Sequence, residues 1–356
     1  MKAIILRNKK CIPRLAWCAA RWHAHYLATR RPLPIACGLY ITNTCNFRCT
    51  FCNIWRKAPP RTLPHSKAKA LVDDLRRLGV FYFSISGGEP LLVDYLFDLL
   101  RYAHQRGIAY IHLVTNGYLL DAACARALAQ TGINEVSVSI DGEAAIHDQR
   151  RGTAGAYARA VEAVEHLRAH APGIQVVLNT ILFPEKPFDC FHAVELAASL
   201  GVCVKIQPLN QHPVFNRDNF STTPVRQVSA GQLKEAINRL KGQQCVVNSR
   251  LFLDNIYNFF CDQRRLVFKG QPCIFGYHHV ELLEDGTLFP CLEGMGWENG
   301  FVYSGNLSGD MQSLEYHRLL EGLRHCQGCQ RNFYVCYYEP RINFPATHFA
   351  RSLLQG

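Results

Sequence analysis

Between residues 34 and 207, short apolar runs alternate six times with amphipathic stretches, and this rhythm constrains the fold more than any other feature. Runs reading as strands are 36–42, 81–86, 110–114, 135–140, 175–181 and 202–207, and helical periodicity fills 66–79, 93–107, 121–132, 156–171 and 188–201. A strand that returns parallel to its predecessor needs a crossover, which an intervening helix supplies, so the pattern predicts a parallel sheet with helices packed on it. Six repeats are fewer than a closed eightfold barrel needs. After about residue 213 the repeat lapses into two predicted helices, 230–241 and 249–265, and then a hairpin with an Asp285-Gly286 turn.

In parallel barrels the chemistry sits in loops at the carboxyl ends of the strands. The first such loop carries Cys45, Cys49 and Cys52. Three thiolates are one short of a closed structural zinc site, but they suit a [4Fe-4S] cluster with one iron left for a small molecule. The other reading is three buried, inert cysteines. A second group follows the barrel: Cys273 and Cys291 on the flanks of the hairpin, Cys326 and Cys329 in a C-x2-C knuckle, and Cys336. Four such thiolates suit zinc or a second iron-sulfur cluster equally. Sixteen cysteines, clustered in this way in a chain without a secretory signal, point to metal rather than to disulfides.

The remaining loops add polar groups. Gly87 and Gly88 let backbone approach a ligand closely, and Glu89 offers a carboxylate to an ammonium. Asn116 lies in a Thr-Asn-Gly turn, Ser139 on the fourth strand, and Arg151 offers a guanidinium that forks onto carboxylates. His147 and Asp148 read as structural. Asn179 is a polar residue inside an apolar run and needs a partner if buried. Gln207 and Asn210 end the sixth strand, either to meet substrate or to cap the loop.

The spacing C-x3-C-x2-C with Phe51 before the last cysteine, followed by Gly87-Gly88-Glu89-Pro90, resembles the radical S-adenosylmethionine (radical SAM) enzymes. The resemblance implies an open, TIM-like (β/α)6 partial barrel in the α/β class. It also implies a cluster on Cys45, Cys49 and Cys52 that reductively cleaves S-adenosylmethionine to a 5'-deoxyadenosyl radical, which abstracts hydrogen from an unactivated C-H bond. Gly87, Gly88, Glu89, Asn116, Ser139, Arg151 and Asn179 become the candidate S-adenosylmethionine contacts. An electron donor such as flavodoxin or ferredoxin is expected. The later cysteines resemble the C-terminal extensions called SPASM and, in shorter form, twitch, an α+β unit holding auxiliary iron-sulfur clusters. One auxiliary [4Fe-4S] cluster on Cys273, Cys291, Cys326 and Cys329 is the preferred count, with Cys336 a spare or replacement ligand. Some relatives carry an acidic base directly after the hairpin cysteine. Here that position is Leu292, with Glu293 one step later, so no catalytic base is assigned.

The expected domains are a basic appendage over 1–34, the barrel over 35–230 and the auxiliary unit over 231–356. The first 72 residues hold fourteen Lys and Arg and no Asp or Glu, leaving −3 of the +11 net charge to the rest. A helix over 14–26 with two tryptophans and only cations suits a membrane interface through residues 1–31, or an ordinary helix covering the end of the barrel. No span is long and apolar enough to cross a bilayer, so a cytoplasmic protein, at most peripheral to the inner face of the membrane, is expected. Nucleic acid is not an expected partner, because no reading module accompanies the basic end. The favoured substrate is a small molecule or lipid-like compound, oxidised with the help of the auxiliary cluster. A radical SAM maturase acting on a peptide is the alternative, disfavoured because no separate leader-binding domain precedes the barrel. A non-catalytic metal-binding or redox-sensing protein is the reading from another class.

Overall fold

The computed structural model describes residues 11–210, 228–266, 273–291, 300–324, 326, 333–336 and 338. The chain begins with α1 (Ile12–Thr29) and then alternates β1 (Ala36–Tyr40), α2 (His65–Leu78), β2 (Tyr82–Ser86), α3 (Leu96–Gln105), β3 (Tyr110–Thr115), α4 (Ala122–Ala129) and β4 (Glu135–Ser139). After β4 come α5 (Ala144–Arg151), α6 (Ala156–His170), β5 (Gln175–Leu182), α7 (Phe191–Ser199) and β6 (Cys203–Pro208). Two further helices, α8 (Ala230–Lys241) and α9 (Arg250–Cys261), lead to β7 (His279–Leu282), β8 (Thr287–Phe289), β9 (Phe301–Val302), α10 (Leu307–Gln312) and α11 (Leu314–Arg324).

Strands β1 to β6 are parallel neighbours in chain order, as the alternation requires. The smaller C-terminal α+β extension is joined to the barrel through its hairpin. Its first strand pairs in parallel with β1, Ala36 opposite His279, and β8 and β9 follow antiparallel, so one nine-stranded sheet runs β6-β5-β4-β3-β2-β1-β7-β8-β9. Edge strand β1 would otherwise expose unpaired backbone groups, and the hairpin covers them.

The two faces of the sheet differ in chemistry. Phe83, Ile85, Ile111, Leu113, Val136, Val138, Leu178, Val204 and Ile206 join the helices in one apolar core. With a side-chain period of two, the alternate residues point inward. They are polar: Ser84, His112, Glu135, Ser137 and Lys205 hydrogen-bond or pair with one another across four strands. Several inward residues, including Gly38, Ser84 and Asn179, remain partly exposed in mid-strand, so the barrel is hollow.

The first helix is docked. Trp22 is 1% exposed and its indole N-H donates to the Tyr277 carbonyl at 3.0 Å, while Cys18 is buried beside it. Arg21 and Arg14 donate to the carbonyls of Leu78 and Gly107, at the carboxyl ends of α2 and α3. Helix ends leave carbonyls without partners and concentrate negative charge there. These cations are therefore engaged by the barrel, as the covering-helix reading has it, although Trp17 and Leu27 face outward. Among the described residues, no helix is long and apolar enough to cross a membrane.

Candidate active site

The cysteine loop leaves β1 and is held between two other loops. On one side, Gly88 N-H donates to the Thr42 carbonyl at 2.6 Å and Glu89 N-H to the Thr44 carbonyl at 2.8 Å. A Cβ on Gly87 would stand 2.4 Å from Thr42 O and one on Gly88 would stand 2.1 Å from Thr44 O. The paired glycines are thus required by contact between two backbones, before any ligand is considered. On the other side, Arg48 and Thr50 donate their N-H groups to the carbonyls of Arg151 and Arg150, and Gly152 lies against Arg48 O, which a Cβ there would approach to 2.3 Å.

Between these loops lies a cleft of about 150 Å3, lined by Cys45, Cys49 and Cys52, by Gly87 and Gly88, and by Asn116, Ser139 and Arg151. Two expected contacts fall outside it. Glu89 is fully buried, and its carboxylate accepts from Thr115 Oγ1 at 2.7 Å and from the backbone N-H groups of Asn116 at 2.8 Å and Leu91 at 3.0 Å. Its carboxylate therefore ties the second loop to the third. Asn179 is in register with Ser139 on the neighbouring strand but does not line the cleft.

Sequence reasoning missed Trp55, which lines the cleft with the Arg48 and Arg56 guanidiniums 5.0 and 4.7 Å from its ring. A lone Trp three residues past a cysteine carries no pattern that would flag it. His147 and Asp148 both meet backbone groups. His147 Nδ1 accepts the Asp141 N-H at 3.0 Å, and Asp148 accepts N-H donors from Gly155 and Tyr157 at the start of α6.

Electrostatics follow burial. Burial pushes the Cys45 thiol up to about 11, with Glu89 and Cys49 adding to the rise, and pushes Cys52 to about 12, with Cys49 and Cys45 adding. Cys49 is raised as well, chiefly by burial and against the pull of Arg151. Metal or cluster binding must then displace three protons. Burial also works against the charge of Arg151, but Asp141 and Cys49 outweigh it and hold the guanidinium charged. Asp141 Oδ2 accepts from Arg151 Nε at 2.7 Å, while Oδ1 takes the Ile181 N-H, so the arginine is fixed before any ligand arrives.

Among the described residues, no three His, Cys, Asp or Glu side chains converge to hold one ion, the cleft cysteines included. A single zinc would need its sulfurs drawn to one point. Three thiolates lining one cleft suit a [4Fe-4S] cluster, which is held by thiolates and here would keep one iron open.

The segments that carry Cys273, Cys291 and Cys326 meet at the opposite end of the barrel. Cys273 precedes β7 and Cys291 follows β8, and both are buried. Cys326 follows α11. Their segments meet at Gly276, where a Cβ would stand 2.7 Å from Leu320, 2.8 Å from Pro290 and 3.1 Å from Leu323. Cys329, Leu292 and Glu293 lie outside the described residues. Cys336 follows Phe333 and Val335, whose backbone pairs with the Gln207 side chain, and it lies close enough to Tyr82 to help raise that phenol. Gln207 and Asn210 thus anchor the 333–335 segment, Asn210 accepting the Phe333 N-H at 2.5 Å.

Residues 39–197 match the family model described as the radical SAM superfamily. That stretch, from within β1 into α7, is a radical SAM domain. A domain of this superfamily implies a [4Fe-4S] cluster, S-adenosylmethionine, an external electron donor and a substrate. The chain is 28% identical over 274 residues to the PqqA peptide cyclase of Ruegeria pomeroyi, covering 73% of this chain and 68% of the cyclase. It is 33% identical over 164 residues to the AdoMet-dependent heme synthase of Methanosarcina barkeri, covering 45% of this chain and 46% of that one. The chain thus matches less than half of the synthase's length. Its fold is similar to that of Streptococcus suis SuiB bound to precursor peptide SuiA, with a TM-score of 0.62 at 13% identity, over 88% of this chain and 74% of SuiB.

Proposed function

We propose that this chain is a radical SAM maturase that oxidatively modifies a peptide, with the radical cluster on Cys45, Cys49 and Cys52 and an auxiliary cluster on Cys273, Cys291, Cys326 and Cys329. The observation that carries the substrate class is the similarity to a peptide cyclase over 73% of the chain, where the heme synthase matches only 45%. This reverses the preference drawn from the sequence for a small or lipid-like substrate. That preference rested partly on the tryptophan-bearing basic helix, and Trp22, Arg14 and Arg21 are engaged by the barrel.

The bound cluster and S-adenosylmethionine supply reductive cleavage of the sulfonium and a carbon radical able to remove hydrogen from substrate. The chain's own residues position and exclude. Gly87 and Gly88 present backbone at the cleft wall, Asn116 and Ser139 present hydrogen-bonding groups, and Arg151, held by Asp141, presents a fixed positive charge to a carboxylate. Glu89 acts through Thr115 and Asn116, keeping the third loop in place. The hollow barrel lies between the two cysteine groups, so a peptide side chain entering it is enclosed between the radical source and an electron acceptor.

The experiment is anaerobic incubation of the reconstituted protein with reductant, S-adenosylmethionine and the sub-10-kDa peptide pool of the host. Peptides 2 Da lighter than their precursors are expected, together with 5'-deoxyadenosine. If deoxyadenosine forms but mass changes occur only among small metabolites, the peptide assignment is overturned.

A further inference from the structure

The inward face of the barrel carries a polar network that the cleft chemistry leaves unused. Glu135 on β4 is 2% exposed and its carboxylate is met by Tyr110 Oη at 2.9 Å, Lys205 Nζ at 3.3 Å and Ser137 Oγ at 3.3 Å. His112 on β3 is 4% exposed and lies between this carboxylate and two hydroxyls. Its Nε2 is 2.8 Å from Ser137 Oγ and 3.3 Å from Glu135 Oε1, and its Nδ1 is 2.7 Å from Tyr82 Oη and 2.9 Å from Ser84 Oγ.

These partners determine the tautomer. A carboxylate only accepts, so Nε2 carries the proton and Nδ1 offers its lone pair toward the Tyr82 and Ser84 hydroxyls. Ser84 is partly exposed in mid-strand and so borders the hollow. The result is a carboxylate, an imidazole and a hydroxyl in series, ending at the space a substrate would fill.

We propose that His112, oriented by Glu135, accepts a proton from the substrate through the Ser84 hydroxyl. This rests on the reading of the chain as an enzyme that oxidises a substrate inside the barrel. In the step, an X-H bond of the substrate breaks and leaves its electron pair on the substrate. The proton passes to Ser84 Oγ as the serine proton passes to His112 Nδ1, giving an imidazolium beside the Glu135 carboxylate. No oxidant is consumed in this step. Hydrogen-atom removal from a carbon next to such a group makes it strongly acidic, so a weak base suffices.

Burial lowers the His112 pKa to about 4 against the opposing pull of Glu135, which leaves the ring unprotonated and ready near neutral pH. The titratable groups facing the network are Tyr110 on the same strand, Tyr82 on β2, Glu135 on β4 and Lys205 on β6, with Cys336 beside Tyr82. Glu135 and Lys205 act through His112 and are positioning residues.

Two measurements test this. Long-range nitrogen-15 NMR of histidine-labelled reconstituted protein, clusters oxidised, should show His112 neutral with its proton on Nε2 between pH 6 and 8. Glu135→Gln should mix the two tautomers. A proton on Nδ1, or an imidazolium at pH 7, overturns the proposal. In the peptide-pool assay, His112→Gln and Ser84→Ala should keep deoxyadenosine release within about threefold while lowering the 2-Da-lighter product roughly 100-fold or more, the range of general-base contributions. A purely structural role would lower both together, and product within threefold of wild type for both variants overturns the relay. Should wild type make no such peptide, the peptide reading fails on its own and the NMR measurement still decides the tautomer.

Discussion

At the scale of single residues, the cleft depends on atoms that are absent as much as on those present. Gly88 approaches the Thr44 carbonyl so closely that any side chain must displace the cysteine loop. Gly88→Ala is therefore expected to cost about 1–3 kcal/mol, as overpacking does, and to lower iron retention at the radical site while far-ultraviolet dichroism stays unchanged. Two buried imidazoles make a second prediction. Burial lowers His112 and His147 to about 4 each. The unfolded chain binds protons at these positions from about pH 6.5 downward, while the fold does not until about pH 4. Stability should therefore fall as pH drops through that window, by up to roughly 3 kcal/mol per group. Urea denaturation across the window should show a shallower fall in His112→Gln. The cysteine triplet was legible because its spacing is local in the chain. The contacts of Glu89 were not, since a carboxylate beside two glycines reads the same whichever groups it meets, here Thr115 and Asn116.

At the scale of elements, α1 shows how one composition supports two structures. Aromatic and cationic residues at helical spacing suit a membrane interface as well as a protein surface. What separates them is whether the cations find helix carboxyl ends, as Arg14 and Arg21 do at α3 and α2. Trp22→Ala should cost roughly 3–5 kcal/mol, the range for large core deletions, seen as a lower denaturant midpoint. Arg21→Ala should cost about 1 kcal/mol. Equal stability of both variants to wild type would mean that α1 contributes nothing to the barrel. The same logic applies to the hairpin of the C-terminal extension. Its Asp-Gly turn marks two strands, but only the long-range pairing of Ala36 with His279 makes them part of the barrel sheet.

At the scale of the whole molecule, one sheet separates two groups of cysteines, with the radical-site loop at the carboxyl ends of the strands and the segments of Cys273, Cys291 and Cys326 at the other. Cys49→Ala should remove the iron of the first site and leave the second, and Cys326→Ala the reverse, with deoxyadenosine release retained. Iron and sulfide analysis with Mössbauer spectra checks this, and loss of both sites in either variant would rule out independent centres. The sequence by itself determined the six-repeat parallel barrel, because hydrophobic period and turn chemistry are properties of neighbouring residues. It likewise determined the three-thiolate loop. Only the tertiary structure decided that Glu89 locks a loop, that Gln207 and Asn210 hold the 333–335 segment, and that Ser84, His112 and Glu135 share one interior. Each joins residues more than 20 positions apart, and strand alternation tells which face a side chain takes but not which partner waits across the barrel.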